Sequence, residues 1–352
     1  MHYLFVGGPG RSGTSFVADR LGLHPGVRAL KDIELKIFCE KNGLLDLYHA
    51  LVETYSPNRA AIALDQFRHM SEALIEGRYG QAPLTSAAPV QGWRGAFDGF
   101  TAALIEDGHP VPQTAESYLA AARGLLARIA ALAGRAPGHG RPERDAPDGN
   151  APNHDAPADD APRDLLFVEK TPHNLLAIGF LARLAPGARF LHVMRDPRAI
   201  AWSLLAMSWG PGELTTAARW VDSYCRAWTA AEAEAASLGL PLLRLHIEDA
   251  VAAPGAAAAW LTARLGLAPR PDLFGGANPQ VLSRGVAKAG DEERALLDRR
   301  LGGWAAHFGY EAGQIGQRAA PAFARPEPTQ PDPTQPDPTQ PEAPGRVAPA
   351  GA

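Results

Sequence analysis

The residues most suited to chemistry stand near the start of the chain, in Gly7-Gly8-Pro9-Gly10-Arg11-Ser12-Gly13-Thr14-Ser15. Glycines let a backbone approach an anion closely, and a following helix start points its unpaired N–H groups at the same place. Arg11 adds a guanidinium, and Ser12, Thr14 and Ser15 add hydroxyls. Such a set is built to cradle a phosphate-like group. A nucleotide triphosphatase loop reads GxxxxGK[ST]. Here Gly8 and Gly13 keep the glycine spacing and Ser15 keeps the hydroxyl, but Thr14 stands in the place of the lysine. The charge therefore enters from the loop, through Arg11, and not from the helix.

Three further stretches carry ionisable groups. Lys31-Asp32-Ile33-Glu34-Leu35-Lys36 crowds two carboxylates and two lysines just downstream of the loop. As structure alone it reads as a solvated helix face. Glu169-Lys170-Thr171-Pro172-His173-Asn174 follows an apolar run, and Thr171 or Asn174 is expected to cap a helix from Leu175. Arg195-Asp196-Pro197 follows another apolar run, with Ser203 eight residues after Arg195. Guanidinium forks suit phosphate oxygens. Asp196 also admits a second role, holding magnesium together with Ser15 as in a P-loop kinase or triphosphatase. The absent loop lysine counts against that role.

Elements must bring these groups together. Tyr3–Val6, Leu165–Val168, Arg189–Met194 and Leu242–Ile247 read as short buried strands, and Val27–Leu30 is a candidate for another. The first glycine-rich turn sits between a strand and a helix. Lysine and arginine at strand ends fall in the crevice where open α/β sheets bind ligands. Residues 44–133 read mainly as a helical insert, in which Tyr48, Tyr55 and Trp93 are packing residues. Residues of about 135–163, including His139 and His154, lack large apolar side chains and read as a disordered loop within the domain. From 317 to 352 a Pro-Thr-Gln-Pro-Asp repeat forms a disordered Pro-rich tail. The expected architecture is one α/β domain over 1–316, three layers α/β/α around a central parallel sheet.

Composition narrows the field. The chain has 352 residues with a formal net charge of −4, so no basic field draws in nucleic acid. Cys39 and Cys225 stand far apart without metal-ligand spacing and read as small core residues. A strand beginning at residue 3 leaves no room for a signal peptide, and no apolar run approaches the ~20 residues of a membrane helix. The expectation is a cytoplasmic protein with no membrane span and no metal.

The string Pro-Gly-Arg-Ser-Gly-Thr-Ser resembles the 5′-phosphosulfate loop of sulfotransferases, in the bacterial branch with Arg-Ser-Gly-Thr that is related to tyrosylprotein sulfotransferases. Arg195-Asp196-Pro197 with Ser203 is similar to the family's second motif, and Lys170-Thr171-Pro172 to a third. The resemblance spans residues 3–310 outside the 135–163 loop. It implies a P-loop-like sulfotransferase fold and transfer of a sulfuryl group from 3′-phosphoadenosine-5′-phosphosulfate to an acceptor hydroxyl or amine. It also implies roles. Gly10, Arg11, Ser12, Gly13, Thr14 and Ser15 would hold the 5′-phosphosulfate, and Arg195 with Ser203 the 3′-phosphate. Ser283 and Lys288 would lie in the C-terminal cofactor loop. Lys170 and Arg11 would face the transferring group, and Glu34 or Asp32 would act as the base. His24, His173 and His192 are alternative bases, His192 reading as a core histidine. His246-Ile247 replace the family's basic-tyrosine pair, so the usual nucleotide-holding tyrosine is missing. The acceptor stays open among small molecules, carbohydrates and peptides. A non-catalytic nucleotide-binding protein is the remaining alternative.

Overall fold

A computed structural model describes residues 1–78, 82–133, 165–276 and 289–318. The expected loop at 135–163, Ser283, Lys288 and all of the tail beyond Arg318 lie outside the described residues.

Five parallel strands form the central sheet: β1 (His2–Gly7), β2 (Val27–Ala29), β5 (Leu166–Lys170), β6 (Arg189–Met194) and β7 (Leu242–His246), in the order β2-β5-β1-β6-β7. Tyr3 pairs with Phe167 on one side of β1, and Val6 with Leu191 on the other. β1 is therefore central, and the ends of β5 and β6 emerge on either side of the loop that follows it. The strands alternate as a sheet buried on both faces must. Phe5, Phe167 and Phe190 face one layer, while Leu4, Val6, Val168, Leu191 and Val193 face the other. Phe5 stacks on Phe190 at 5.9 Å and meets Phe38 edge-on at 5.6 Å.

The first layer holds the insert: α2 (Leu44–Tyr48) continued by a π turn, α3 (Pro57–Ile75), α4 (Val90–Ala102) and α5 (Ala115–Leu132). A two-residue hairpin, β3 (Ile105–Glu106) and β4 (His109–Pro110), joins the last two. Trp93 and Tyr48 are buried there, and Tyr55 donates to Pro110 O at 2.9 Å, which agrees with their reading as packing residues. α6 (Ile178–Leu184) completes this layer. The second layer holds α1 (Thr14–Leu21), α9 (Ile247–Ala252) and α10 (Pro254–Arg264). A third cluster packs α7 (Pro197–Leu204), α8 (Leu214–Ser237) and α11 (Asp291–His307). α7 starts as its sequence dictates, with Pro197 in the first turn and Asp196 capping the Arg198 amide. No described helix is long and apolar enough to cross a membrane.

Residues 31–38 form no helix. Ile33, Leu35 and Ile37 are buried, and Glu34 and Lys36 alternate with them, the period-2 pattern of an extended segment. Asp32 and Lys36 have positive φ, 58° and 55°. The solvated-helix reading of this stretch fails because its apolar residues reach the sheet-facing core.

Candidate active site

The glycine-rich turn lies where β1 feeds α1. Gly8 has φ 149°, and a Cβ there would fall 2.3 Å from Val193 O, so only glycine passes this point. Ser12 N donates to Pro9 O at 3.0 Å and closes the turn. Ser12 Oγ is buried and has no hydrogen-bond partner among the described residues. A buried hydroxyl without a partner at a helix start suits an incoming oxyanion. Thr14 and Ser15 open α1, where first-turn amides lack intrahelical acceptors.

Arg11 is held in the left-handed region at φ 73°, uncommon for a side-chain-bearing residue. Two contacts keep it there. Its Nε donates to Ser203 Oγ at 3.2 Å, and its carbonyl accepts from Arg195 Nη1 at 3.0 Å. The turn after β1, the end of β6 and the last turn of α7 are thus tied at one point. Two guanidiniums and a hydroxyl converge on it. Burial, the larger effect, and the Arg11 charge push the Arg195 guanidinium below its ordinary value, with Glu248 opposing. Like charges held together favour an anion between them.

On the other side of β1, Lys170 ends β5 almost buried. Its Nζ lies 2.9 Å from Glu34 Oε1, and Lys36 Nζ lies 3.7 Å from Glu34 Oε2. Glu34 is thus the carboxylate that the fold brings to Lys170. Asp32 is exposed, and its backbone amide bonds the Asp19 carboxylate.

The three histidines separate by geometry. His24 is buried; its Nδ1 accepts from Gly26 N and its Nε2 meets Ala268 O, both at 3.0 Å. His192 lies in β6, buried, its Nδ1 2.7 Å from Glu232 Oε1, and burial lowers its pKa. Neither can meet an acceptor. His173 is half-exposed, and its Nδ1 lies 2.6 Å from Glu40 Oε1. That hydrogen bond, opposed by burial, lifts His173 above the usual imidazole range.

Two buried carboxylates escaped the sequence reading. Glu169 Oε1 accepts from Leu35 N at 3.3 Å and Thr171 Oγ1 at 2.8 Å, and Oε2 accepts from Asn174. Thr171 Oγ1 in turn accepts from Lys36 N at 3.3 Å. Thr171 and Asn174 therefore fasten the Glu34 segment instead of capping a helix. Glu248 accepts from Asp196 N at 3.1 Å and Tyr310 OH at 2.9 Å, beneath Arg195. Burial pushes both carboxyls up to about 7. A glutamate inside an otherwise apolar strand was the available signal for Glu169.

Asp196 is fully buried. Oδ1 accepts from Arg198 N at 2.9 Å and Nε at 3.1 Å; Oδ2 accepts from Arg198 Nη2 at 2.8 Å and Gly316 N at 2.7 Å. With both oxygens committed to protein donors, its chemistry is that of a structural hub and not of a magnesium ligand.

A family model described as "Sulfotransferase family" matches residues 4–272. No curated protein matches the chain. Among solved structures, the sulfotransferase domain from the Synechococcus PCC 7002 olefin synthase is 14% identical, covering 85% of this chain and 93% of its own, with a TM-score of 0.44. The sulfotransferase domain from the curacin biosynthetic pathway is 14% identical, covering 88% and 98%, TM-score 0.44. A sulfotransferase from Mycobacterium avium is 14% identical, covering 90% and 78%, TM-score 0.42.

Proposed function

The chain belongs to the sulfotransferase family, and from that premise we propose that it moves a sulfuryl group from 3′-phosphoadenosine-5′-phosphosulfate to an acceptor hydroxyl or amine. The observation that carries this reading is the convergence of Arg11, Arg195 and Ser203, drawn from three elements and joined by contacts of 3.2 and 3.0 Å. The orphaned Ser12 hydroxyl and the glycine floor at Gly8 fit the 5′ end of such a donor.

When bound, the donor supplies the sulfuryl group and a phosphate that departs with negative charge. Backbone N–H groups from Gly10 to Ser15 and the Ser12 hydroxyl hold its 5′ end. Arg195 and Ser203 hold the 3′-phosphate, with charge-assisted bonds that a plain 5′-nucleotide would not make. Arg11 and Lys170 stabilise charge that builds on the leaving side. Glu34 takes the acceptor proton, and its ion pair with Lys170 keeps base and charge clamp in one unit. Asp32 is the other carboxylate for that task. A second reading of the base rests on His173: Glu40 holds its Nδ1 and the ring is half-exposed, the arrangement of a hydrogen-bonded base pair.

Calorimetry with 3′-phosphoadenosine-5′-phosphate, AMP and ATP tests the donor. The expected order places the 3′-phosphorylated nucleotide first, without dependence on magnesium. Tighter, magnesium-dependent ATP binding would overturn the proposal in favour of a kinase or triphosphatase.

A further inference from the structure

We propose that His192 is a positioning residue for Arg195, acting through one internal water molecule that it shares with Trp228; this rests on the reading of Arg195 as a holder of the 3′-phosphate. The place is a small cavity beside the glycine-rich turn, walled by Pro9, His192, Arg195, Ile200, Trp228 and Phe308. It measures ≈ 10 Å³, the room that a single water needs and too little for a larger ligand. His192 borders it from β6 and Trp228 from α8, with ring centroids 6.4 Å apart. Each of these side chains is 2% exposed. His192 Nε2 and Trp228 Nε1 have no hydrogen-bond partner among the described residues.

The two nitrogens are chemically complementary. An indole nitrogen only donates. The role of the imidazole follows from its other edge. Glu232 Oε1 lies 2.7 Å from His192 Nδ1 and accepts from Arg244 Nε at 2.9 Å. Against burial, those two hydrogen bonds hold the Glu232 carboxyl down at about 2, so it is ionised and only accepts. Burial lowers His192 as well, which leaves the ring neutral with one proton. That proton sits on Nδ1, facing Glu232, and Nε2 keeps its lone pair.

A buried donor and a buried acceptor thus border one water-sized space, and a buried polar group without a partner is costly. One water satisfies both: it accepts from Trp228 Nε1 and donates to His192 Nε2. Its second lone pair takes an N–H of the Arg195 guanidinium, which borders the same space. Three hydrogen bonds are usual for an internal water. The guanidinium already donates to Arg11 O through Nη1 at 3.0 Å. A second fixed bond holds the fork in one orientation, so a 3′-phosphate meets it preorganised. Behind the water the support is rigid. Arg244 is the register partner of His192 on β7, and Glu232 joins the two side chains.

The test joins structure to affinity on the full-length chain. A high-resolution crystal structure should show one water within about 3.2 Å of both nitrogens. Nitrogen NMR of the imidazole should report a neutral His192 with its proton on Nδ1. No water there, or a proton on Nε2, overturns the inference. Calorimetry then compares 3′-phosphoadenosine-5′-phosphate with AMP. Trp228→Phe keeps the ring and deletes the donor; it should weaken the first nucleotide about fivefold and AMP less than about twofold. His192→Gln sets an amide where Nε2 stood and should stay within about twofold of wild type for both nucleotides. His192→Asn keeps only the edge that faces Glu232 and should match Trp228→Phe. The reverse order, with Asn normal and Gln weakened, would make His192 a strand anchor alone and overturn the inference. So would equal weakening of the two nucleotides by Trp228→Phe. A wild-type chain that binds both nucleotides alike, with the water in place, would support the water site and refute the 3′-phosphate reading.

Discussion

Arg195 and Glu34 stand on opposite sides of the glycine-rich turn, and their chemistry makes different demands. Arg195→Ala should weaken 3′-phosphoadenosine-5′-phosphate by about 1.5–3 kcal/mol while sparing AMP, because one charge-assisted contact is lost. Calorimetry with both nucleotides checks this, and equal weakening would remove Arg195 from the 3′-phosphate. Ser203→Ala should act in the same direction but less. For the base, Glu34→Gln should leave nucleotide affinity unchanged and lower kcat by about 10²–10⁴-fold. Asp32→Asn should be near wild type, since Asp32 is exposed and asparagine tolerates its positive φ. An inactive Asp32→Asn beside an active Glu34→Gln reverses the assignment. The pH profile of kcat adds a second readout. With His173 as base its acidic limb falls above the ordinary imidazole value, because the Glu40 hydrogen bond raises that pKa.

Each site segment is pinned by a buried carboxyl at the end of a strand. Glu169 holds the stretch that carries Glu34 and Lys36, and Glu248 holds the corner that carries Arg195. Both titrate near 7 in the folded chain, above the ordinary 4.5, and burial is the first cause. The native state therefore binds these protons more tightly than the unfolded chain. Their stabilising contribution is complete below about 4.5 and is lost as pH rises through about 7. Denaturant melts of wild type should show this loss between pH 5 and pH 7.5, and Glu169→Gln, which cannot ionise, should flatten it. Parallel curves for the two proteins would show that Glu169 does not titrate in that window. Glu169→Gln should also raise the KM for acceptor more than the Kd for nucleotide, since the segment it fastens lies away from Arg195.

At the scale of the molecule, the chain after α11 returns to the Arg195 corner. Arg198 donates to Glu311 O at 2.9 Å and Gln314 O at 3.3 Å, and also pairs with Asp298 Oδ1 at 2.7 Å. Tyr310 OH joins His246 Nδ1 at 3.0 Å to Glu248. Arg318 lies 3.0 Å from Asp249 and over the Tyr310 ring, so the folded body reaches at least to Arg318 and not only to residue 316. Truncation after Arg318 should leave the melting temperature unchanged, because the stretch beyond it carries only two large apolar side chains, Phe323 and Val347, among prolines and polar residues. Truncation after Phe308 removes Tyr310, the Asp249 partner and the amide on Asp196. It should lower the melting temperature by on the order of 5–10 °C and weaken nucleotide binding. Equal melting temperatures for the two truncations would show that this return segment is dispensable.

What the amino-acid order determined by itself is local. Period-2 and all-apolar runs marked the strands, Gly8 and Gly13 marked the turn, and the spacing from Arg195 to Ser203 marked one turn-and-helix unit. Those features are short-range, so a few neighbouring residues suffice to read them. The path of residues 31–38 follows from the sheet and not from a helix: Ile33, Leu35 and Ile37 recur at every second residue, a period that favours an extended segment, and only the sheet-facing core gives them something to bury against. The tertiary structure alone chose Glu34 over Asp32 as the partner of Lys170, across 136 residues. It alone turned Asp196 inward onto Arg198 and Gly316, and it left His173 as the one histidine of three with an exposed edge. These choices join groups from distant parts of the chain, Lys170 with Glu34, Asp196 with the Gly316 amide and His173 with Glu40, and such pairings are settled by which groups burial brings together and which it must satisfy.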